Sequence, residues 1–193
     1  MTNKSLLNDA REKAEPWTQP PHDEETRNTV RHWLETCESD EDSREALIDA
    51  FYRDLSFGTG GLRGKMGPGT NRINATTIAN ATQGLANHLK KVHGEAPSGS
   101  PWRVAVACDS RHRSQEFAQI TSEVLSANGF EAWLYPELRP TPQLSWTVRE
   151  LGALAGVVVT ASHNPPIYNG YKVYASDGGQ VVAPEDAQLV AEV

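Results

Sequence analysis

The sequence lacks the features that define several large classes of protein. It has only two cysteines, Cys37 and Cys108, and neither lies in a C-x-x-C pair or in a metal-ligand spacing. This excludes a disulfide framework, and we interpret both as reduced packing residues. No apolar run is long enough to span a bilayer, and the polar residues 1–14 contain no signal-peptide core. We therefore expect a cytoplasmic protein that does not interact with membranes.

Basic residues are also in deficit, with 18 Lys and Arg against 25 Asp and Glu, for a formal net charge of -7. This balance argues against a general nucleic-acid binder, but it is compatible with a local basic pocket for a small phosphorylated substrate. Apolar residues make up 38% of the chain and charged residues 22%, as is ordinary for a soluble globular protein. At 193 residues, the chain can bury one substantial core.

The apolar pattern divides the chain in two. Over residues 1–55 apolar residues recur at helical spacing, which predicts a helical N-terminal extension without catalytic groups. Over residues 56–193 strands and helices alternate, which predicts an α/β domain. We expect three α/β/α layers around a mixed, mostly parallel sheet with one antiparallel strand. That strand is predicted as an edge strand over 171–175, after a turn at Asn169-Gly170.

A polar turn follows the strand predicted to begin at Arg103 and precedes an amphipathic helix. We predict that Asp109 or Ser110 caps this helix. Arg113 is expected to form a surface ion pair. Arg111 fits a surface pair or a phosphate contact equally well.

Residues 156–166 have the pattern of a buried strand that ends in a reactive loop. A short run of β-branched apolar residues is typical of a central strand. Ligands bind at the carboxyl ends of strands in open α/β sheets, and this end carries Ser162, His163 and Asn164. Because two prolines follow, we expect a rigid loop that presents the Ser162 hydroxyl to solvent.

A glycine-rich stretch at residues 57–69 contains two cations. Glycines allow backbone N–H groups to approach an anion, and the guanidinium of Arg63 can bind phosphate oxygens in a bidentate fork. The stretch lacks the Lys-Ser/Thr pair of a Walker loop. By itself it fits a structural bend as well as a phosphate site.

Three functions are open to Ser162. An acyl nucleophile is disfavoured because the G-x-S-x-G motif is missing. A simple turn residue is the ordinary interpretation of a serine, but Arg63 and Lys172 argue against it because both suit a phosphate. The third function is a phosphoryl carrier, with the charge stabilised by Arg63, Lys172 and a metal ion.

Two motifs carry a family resemblance. The first motif, at residues 159–174, reads V-T-A-S-H-N-P-P-I-Y-N-G-Y-K-V-Y. It closely resembles the phosphoserine loop of the α-D-phosphohexomutase family, which comprises the phosphoglucomutases and phosphomannomutases. The second motif, at residues 57–74, reads F-G-T-G-G-L-R-G-K-M-G-P-G-T-N-R-I-N. It resembles the first active-site strand of the phosphoglucomutase and phosphopentomutase branch of the same family. The resemblance covers residues 40–193 in the right order and implies domain I of this family.

The resemblance implies a phosphosugar mutase. Such an enzyme interconverts a sugar 1-phosphate and 6-phosphate, or 5-phosphate for pentoses, through a phosphoserine and a bisphosphorylated intermediate. By resemblance Ser162 is the phosphoserine and, through its phosphate, a Mg²⁺ ligand. Lys172 is the general base, and Arg63 contacts the phosphates. His163 is a further catalytic residue that shapes the loop. The implied phosphate-binding and substrate-binding residues are Thr59, Gly60, Arg63, Asn164 and Lys172.

The implied cofactors are Mg²⁺ and a bisphosphorylated sugar as activator, and the implied partners are a small phosphosugar and the remaining domains of the enzyme.

The sequence departs from the family in one respect, because it contains neither the metal loop D-G-D-x-D-R nor the C-terminal phosphate-binding loop. We therefore expect a truncated first domain of four that is inactive alone. The sugar is left open. The alternative is a non-catalytic module that binds phosphate or a sugar phosphate.

Overall fold

A computed structural model describes residues 3–56, 58 and 61–193. The helices are α1 (Asn3–Ala14), α2 (Glu24–Thr36), α3 (Glu41–Phe51), α4 (Ala75–His93), α5 (Ser114–Ala127), α6 (Thr141–Glu150) and α7 (Glu185–Glu192). The strands are β1 (Leu62–Lys65), β2 (Arg103–Cys108), β3 (Glu131–Leu134), β4 (Ala155–Val159) and β5 (Tyr168–Ala175). None of the helices in the described ranges is long and apolar enough to cross a membrane.

The chain divides into two compact units, and the first consists of residues 1–55 and 64–74. Its helices α1, α2 and α3 enclose an apolar core that includes Val30, Leu47 and Phe51. An aspartate caps the first turn of α2 and of α3. In α3, for example, the carboxylate of Asp40 accepts a hydrogen bond from the Ser43 N–H. This bond satisfies a backbone donor that would otherwise be unpaired. The predicted helical character of the N-terminal extension is confirmed.

The second unit, residues 56–63 and 75–193, contains the central sheet, whose strand order is β1-β5-β4-β2-β3. Strand β2 pairs in parallel with β3 and β4, while β5 runs antiparallel to β4. On one face, Leu144 and Val148 of α6 pack in a cluster with Ala105 and Val158. The predicted three-layer α/β/α fold with a mixed sheet is confirmed.

Helices α4 and α5 pack on the opposite face of this sheet. There the Thr82 hydroxyl of α4 donates a hydrogen bond to the hydroxyl of Tyr171 on β5. Tyr171 is fully buried, and burial raises its pKa above the ordinary value while the hydrogen bond from Thr82 opposes the rise. The tyrosine ring thus anchors β5 next to Lys172.

The prediction of an edge strand over 171–175 after a turn at Asn169-Gly170 is wrong. Strand β5 already begins at Tyr168 and lies between β1 and β4. Gly170 makes this possible, because a Cβ at this position would lie 2.6 Å from the Leu62 carbonyl oxygen and 2.7 Å from that of Thr160. Its missing side chain allows the three backbone segments to approach closely.

The prediction that Asp109 or Ser110 caps the helix after β2 is also wrong. Helix α5 begins at Ser114, and its N-cap is Arg113, which adopts a left-handed conformation with φ 60° and makes no side-chain cap bond. The Asp109 carboxylate instead accepts hydrogen bonds from the Arg111 N–H and the Ser114 hydroxyl. An extra turn therefore separates the strand end from the helix. Arg113 forms the predicted surface pair, at 2.6 Å from Glu116.

Candidate active site

Ser162 lies in the loop that follows the carboxyl end of β4. Its side chain is exposed, and its φ of 56° is unusual for a residue with a side chain. The Ser162 N–H donates to the Thr160 hydroxyl at 3.0 Å, and the Asn164 N–H donates to the Ala161 carbonyl at 3.1 Å. These local bonds hold the loop in a sparsely populated conformation that points the serine away from the core.

Lys172 approaches the serine from the neighbouring strand. It lies on β5 opposite Val158, and its Nζ donates to Ser162 Oγ at 2.9 Å. Burial lowers the pKa of Lys172 from its ordinary value, and the nearby charge of Arg63 lowers it further. Both causes make the neutral amine more accessible than in an exposed lysine. The lysine can therefore accept a proton as well as stabilise negative charge.

Arg63 contributes a second cation from β1. Its side chain is exposed, and Nη1 donates to Asn164 Oδ1 at 3.1 Å. His163 is exposed, and its imidazole makes no hydrogen bond within the described ranges. The predicted residues Thr59 and Gly60 lie outside the described residues.

The structure thus brings four of the predicted residues together: Arg63, Ser162, Asn164 and Lys172. An exposed hydroxyl with two cations beside it suits an anionic group, because arginine and lysine form strong charge-assisted hydrogen bonds to phosphate. A cavity of about 320 Å³ borders the serine loop, within the usual size range of small-molecule sites. It is lined by Asp109, Ser110, Arg111, His112, Ser162, Asn164 and Pro166.

Sequence reasoning missed the carboxylate that supports this loop. Asp109 Oδ2 accepts a hydrogen bond from the Thr160 hydroxyl at 2.6 Å, and Thr160 in turn accepts from the Ser162 N–H. The parallel pairing of Cys108 with Val159 places the two next residues side by side. Predicting this contact requires the strand order, because the residues that follow two adjacent parallel strands lie at the same edge of the sheet.

Few side chains among the described residues near the serine loop could bind a metal ion. The described residues contain no group of three or more His, Cys, Asp or Glu side chains that could hold one. Asp109, the carboxylate that borders the cavity, already accepts bonds from Thr160 and Ser114 and pairs with Arg111. These residues alone do not form a Mg²⁺ site, which needs several oxygen ligands in octahedral geometry.

Comparison with known proteins gives consistent matches. A family model described as "Phosphoglucomutase/phosphomannomutase, alpha/beta/alpha domain I" matches residues 54–193. The chain is 36% identical over 180 residues to a "Probable phosphoribomutase" of Schizosaccharomyces pombe, covering 93% of the chain and 29% of the relative. It is 43% identical over 152 residues to a "Phosphoglucomutase" of Staphylococcus aureus, covering 79% of the chain and 26% of that protein.

Among solved structures, a putative phosphomannomutase from Thermus thermophilus superposes with a TM-score of 0.65 at 31% identity. The match covers 73% of this chain and 30% of that one. The chain thus spans between a quarter and a third of the length of these relatives.

Proposed function

The chain belongs to the phosphoglucomutase/phosphomannomutase family, the α-D-phosphohexomutases, as their domain I, and from this premise we propose that it carries the phosphorylatable serine of a phosphosugar mutase. The enzyme interconverts a sugar 1-phosphate with the 6-phosphate, or with the 5-phosphate for pentoses. The observation that carries the proposal is the 2.9 Å contact between Lys172 Nζ and the exposed Ser162 hydroxyl, beside the charge of Arg63.

The proposed reaction moves a phosphoryl group in two steps. Phosphoserine 162 first gives its phosphoryl group to a free hydroxyl of the sugar monophosphate, so that the bond from Oγ to phosphorus breaks and a bisphosphorylated sugar forms. Lys172, as the neutral amine, accepts the proton of the attacking hydroxyl and donates it to Ser162 Oγ as the bond to phosphorus breaks. In the second step Ser162 Oγ attacks the other phosphoryl group of the intermediate and its proton passes through Lys172 to the departing sugar oxygen, which regenerates the phosphoenzyme and releases the isomeric monophosphate.

Arg63, Asn164 and His163 support these steps in the proposal. Arg63 stabilises the charge on the equatorial phosphoryl oxygens, and this stabilisation is the main source of catalysis in phosphoryl transfer. Asn164 orients Arg63 through the bond between Oδ1 and Nη1. His163 lies next to Ser162 with an exposed imidazole that can donate to a bound phosphate. Thr59 and Gly60 complete the phosphate-binding set.

Mg²⁺ is proposed as the metal, and it would neutralise charge on the transferring group. This chain supplies one ligand, a phosphate oxygen on Ser162. Because the described residues lack a carboxylate cluster, we assign the remaining ligands to further domains of a longer enzyme. The short coverage of the relatives supports this assignment. A bisphosphorylated sugar is the proposed activator, since it can phosphorylate a serine that has lost its phosphate.

In this proposal residues 56–193 are domain I and residues 1–55 are a helical extension. The 193-residue chain alone does not turn over, because its sequence contains no D-G-D-x-D-R loop. We propose the cytoplasm as its location, where phosphosugars are its small-molecule partners.

The test is mutase activity of the full-length protein that contains this chain. We expect turnover of a panel of glucose, mannose and ribose 1-phosphates in the presence of Mg²⁺ and the matching bisphosphate. Ser162→Ala abolishes the turnover and leaves the melting temperature nearly unchanged. The matched control is Ser126→Ala, an exposed serine on α5, which retains activity. A fully active Ser162→Ala variant overturns the mechanism, and an inactive wild type that still binds sugar phosphates supports a non-catalytic module.

A further inference from the structure

Arg111 lies against the backbone of the serine loop. Its Nη2 donates to the carbonyl oxygens of Ser162 at 2.8 Å and Asn164 at 2.7 Å. Its Nη1 donates to the carbonyl oxygens of Pro165 and Tyr168, both at 3.0 Å. The guanidinium therefore gathers four carbonyls that span the loop from its serine to the start of β5.

A carboxylate fixes this guanidinium from the other side. Arg111 Nε lies 3.3 Å from Asp109 Oδ2, and the Arg111 N–H donates to Oδ1 of the same side chain. The Arg111 side chain is only 13% exposed. Asp109 also accepts from Thr160 at the entry of the loop. The two residues thus hold the loop at its beginning and along its length.

The arrangement has two consequences for Ser162. A planar guanidinium offers donors in a rigid fork, so four simultaneous bonds allow the carbonyls little freedom. These bonds also orient four carbonyl oxygens toward a cation, whereas free carbonyl dipoles beside the serine would oppose a phosphate. None of the four bonds involves the Ser162 hydroxyl, which remains available to Lys172.

We propose that Arg111 is a positioning residue for phosphoryl transfer: it acts through the loop backbone to keep Ser162 Oγ aimed at Lys172 and at the incoming sugar. This inference rests on the proposed mutase function. Misplacing a reacting group by about 1 Å costs about 100-fold in rate. Arg111→Met therefore lowers kcat by about 100-fold, while KM for the sugar phosphate stays within about threefold.

The experiment compares three variants of the full-length protein by steady-state kinetics and by single-turnover transfer from the phosphoserine to sugar phosphate. Arg111→Lys has a higher kcat than Arg111→Met but a lower one than the wild type, because an ammonium has three donors but lacks the planar fork of a guanidinium. The control is Arg103→Met at the opposite end of β2. Arg103 also pairs with a carboxylate, Glu131, and donates to a backbone carbonyl, that of Leu151. Its loss leaves kcat within about twofold.

The outcomes separate the two claims. An inactive wild type removes the mutase function and this inference with it. An active wild type whose folded Arg111→Met and Arg111→Lys variants keep the wild-type transfer rate overturns the positioning role alone. If Arg111→Met does not fold, Arg111→Lys decides: a reduced single-turnover rate with an unchanged KM supports the inference, and an unchanged rate contradicts it. A rise in KM without a fall in kcat also contradicts it, because it indicates a substrate contact instead.

Discussion

Replacing Gly170 with alanine tests how closely the serine loop depends on the packing of three backbone segments. The new Cβ would lie 2.6 Å and 2.7 Å from the carbonyl oxygens of Leu62 and Thr160, well inside an ordinary contact of about 3.3 Å between carbon and oxygen. Both oxygens belong to the backbone and cannot rotate away. Thr160 begins the serine loop, so relief of the clash displaces the loop.

The expected cost is about 2 kcal/mol, in the middle of the range for overpacked positions. In a protein of about 200 residues this lowers the melting temperature by about 4–8 °C. Thermal unfolding of the 193-residue chain, followed by circular dichroism, measures the shift. In the full-length protein, kcat falls as well, because Ser162 moves relative to Lys172.

Gly58→Ala is the matched control, since a Cβ at Gly58 would have no heavy atom of the described residues within 4 Å. We expect its melting temperature to stay within about 2 °C of the wild type. If Gly170→Ala melts no earlier than the control, the close approach of β5 to its two neighbours is wrong.

Two further predictions concern the charges and hydrogen bonds around the serine. Arg63→Met removes a positive charge that lowers the Lys172 pKa, so this pKa rises. The limb of the pH–rate profile on which activity increases as the lysine loses its proton then moves to higher pH. An unchanged limb would show that Lys172 is not the titrating base. Thr160→Val removes the hydrogen bonds to Asp109 and from the Ser162 N–H and should cost about 1.5–3 kcal/mol. Urea unfolding measures the loss, and a neutral substitution would contradict the supporting role of Asp109.

The serine loop could be predicted from sequence because its signals are local. The apolar run of β4, the paired prolines and the exposed Ser162 all lie within one short segment. The position of β5 could not be predicted in this way. It depends on Gly170 fitting between backbone segments from distant parts of the chain. The alternation of apolar and polar residues along a strand does not predict such contacts.

Asp109 and Arg111 illustrate the same limit. From local signals alone, Asp109 was predicted to cap the helix, and Arg111 fitted either a surface pair or a phosphate contact. Their actual partners, Thr160 and the loop carbonyls, are about 50 residues further along the chain. Only the parallel pairing of β2 with β4 brings these residues together. Local sequence thus predicted the exposed loop that carries Ser162 but not the residues that hold this loop in place.

Locating the phosphate tests the central claim most directly. The full-length protein, purified without phosphatase treatment, should carry a single phosphate, and peptide mapping by mass spectrometry should place it on Ser162. The phosphate should leave when the protein is incubated with an excess of sugar monophosphate and should return with the bisphosphate. An active enzyme whose phosphate lies on another residue, or does not exchange with the sugar, would contradict the account.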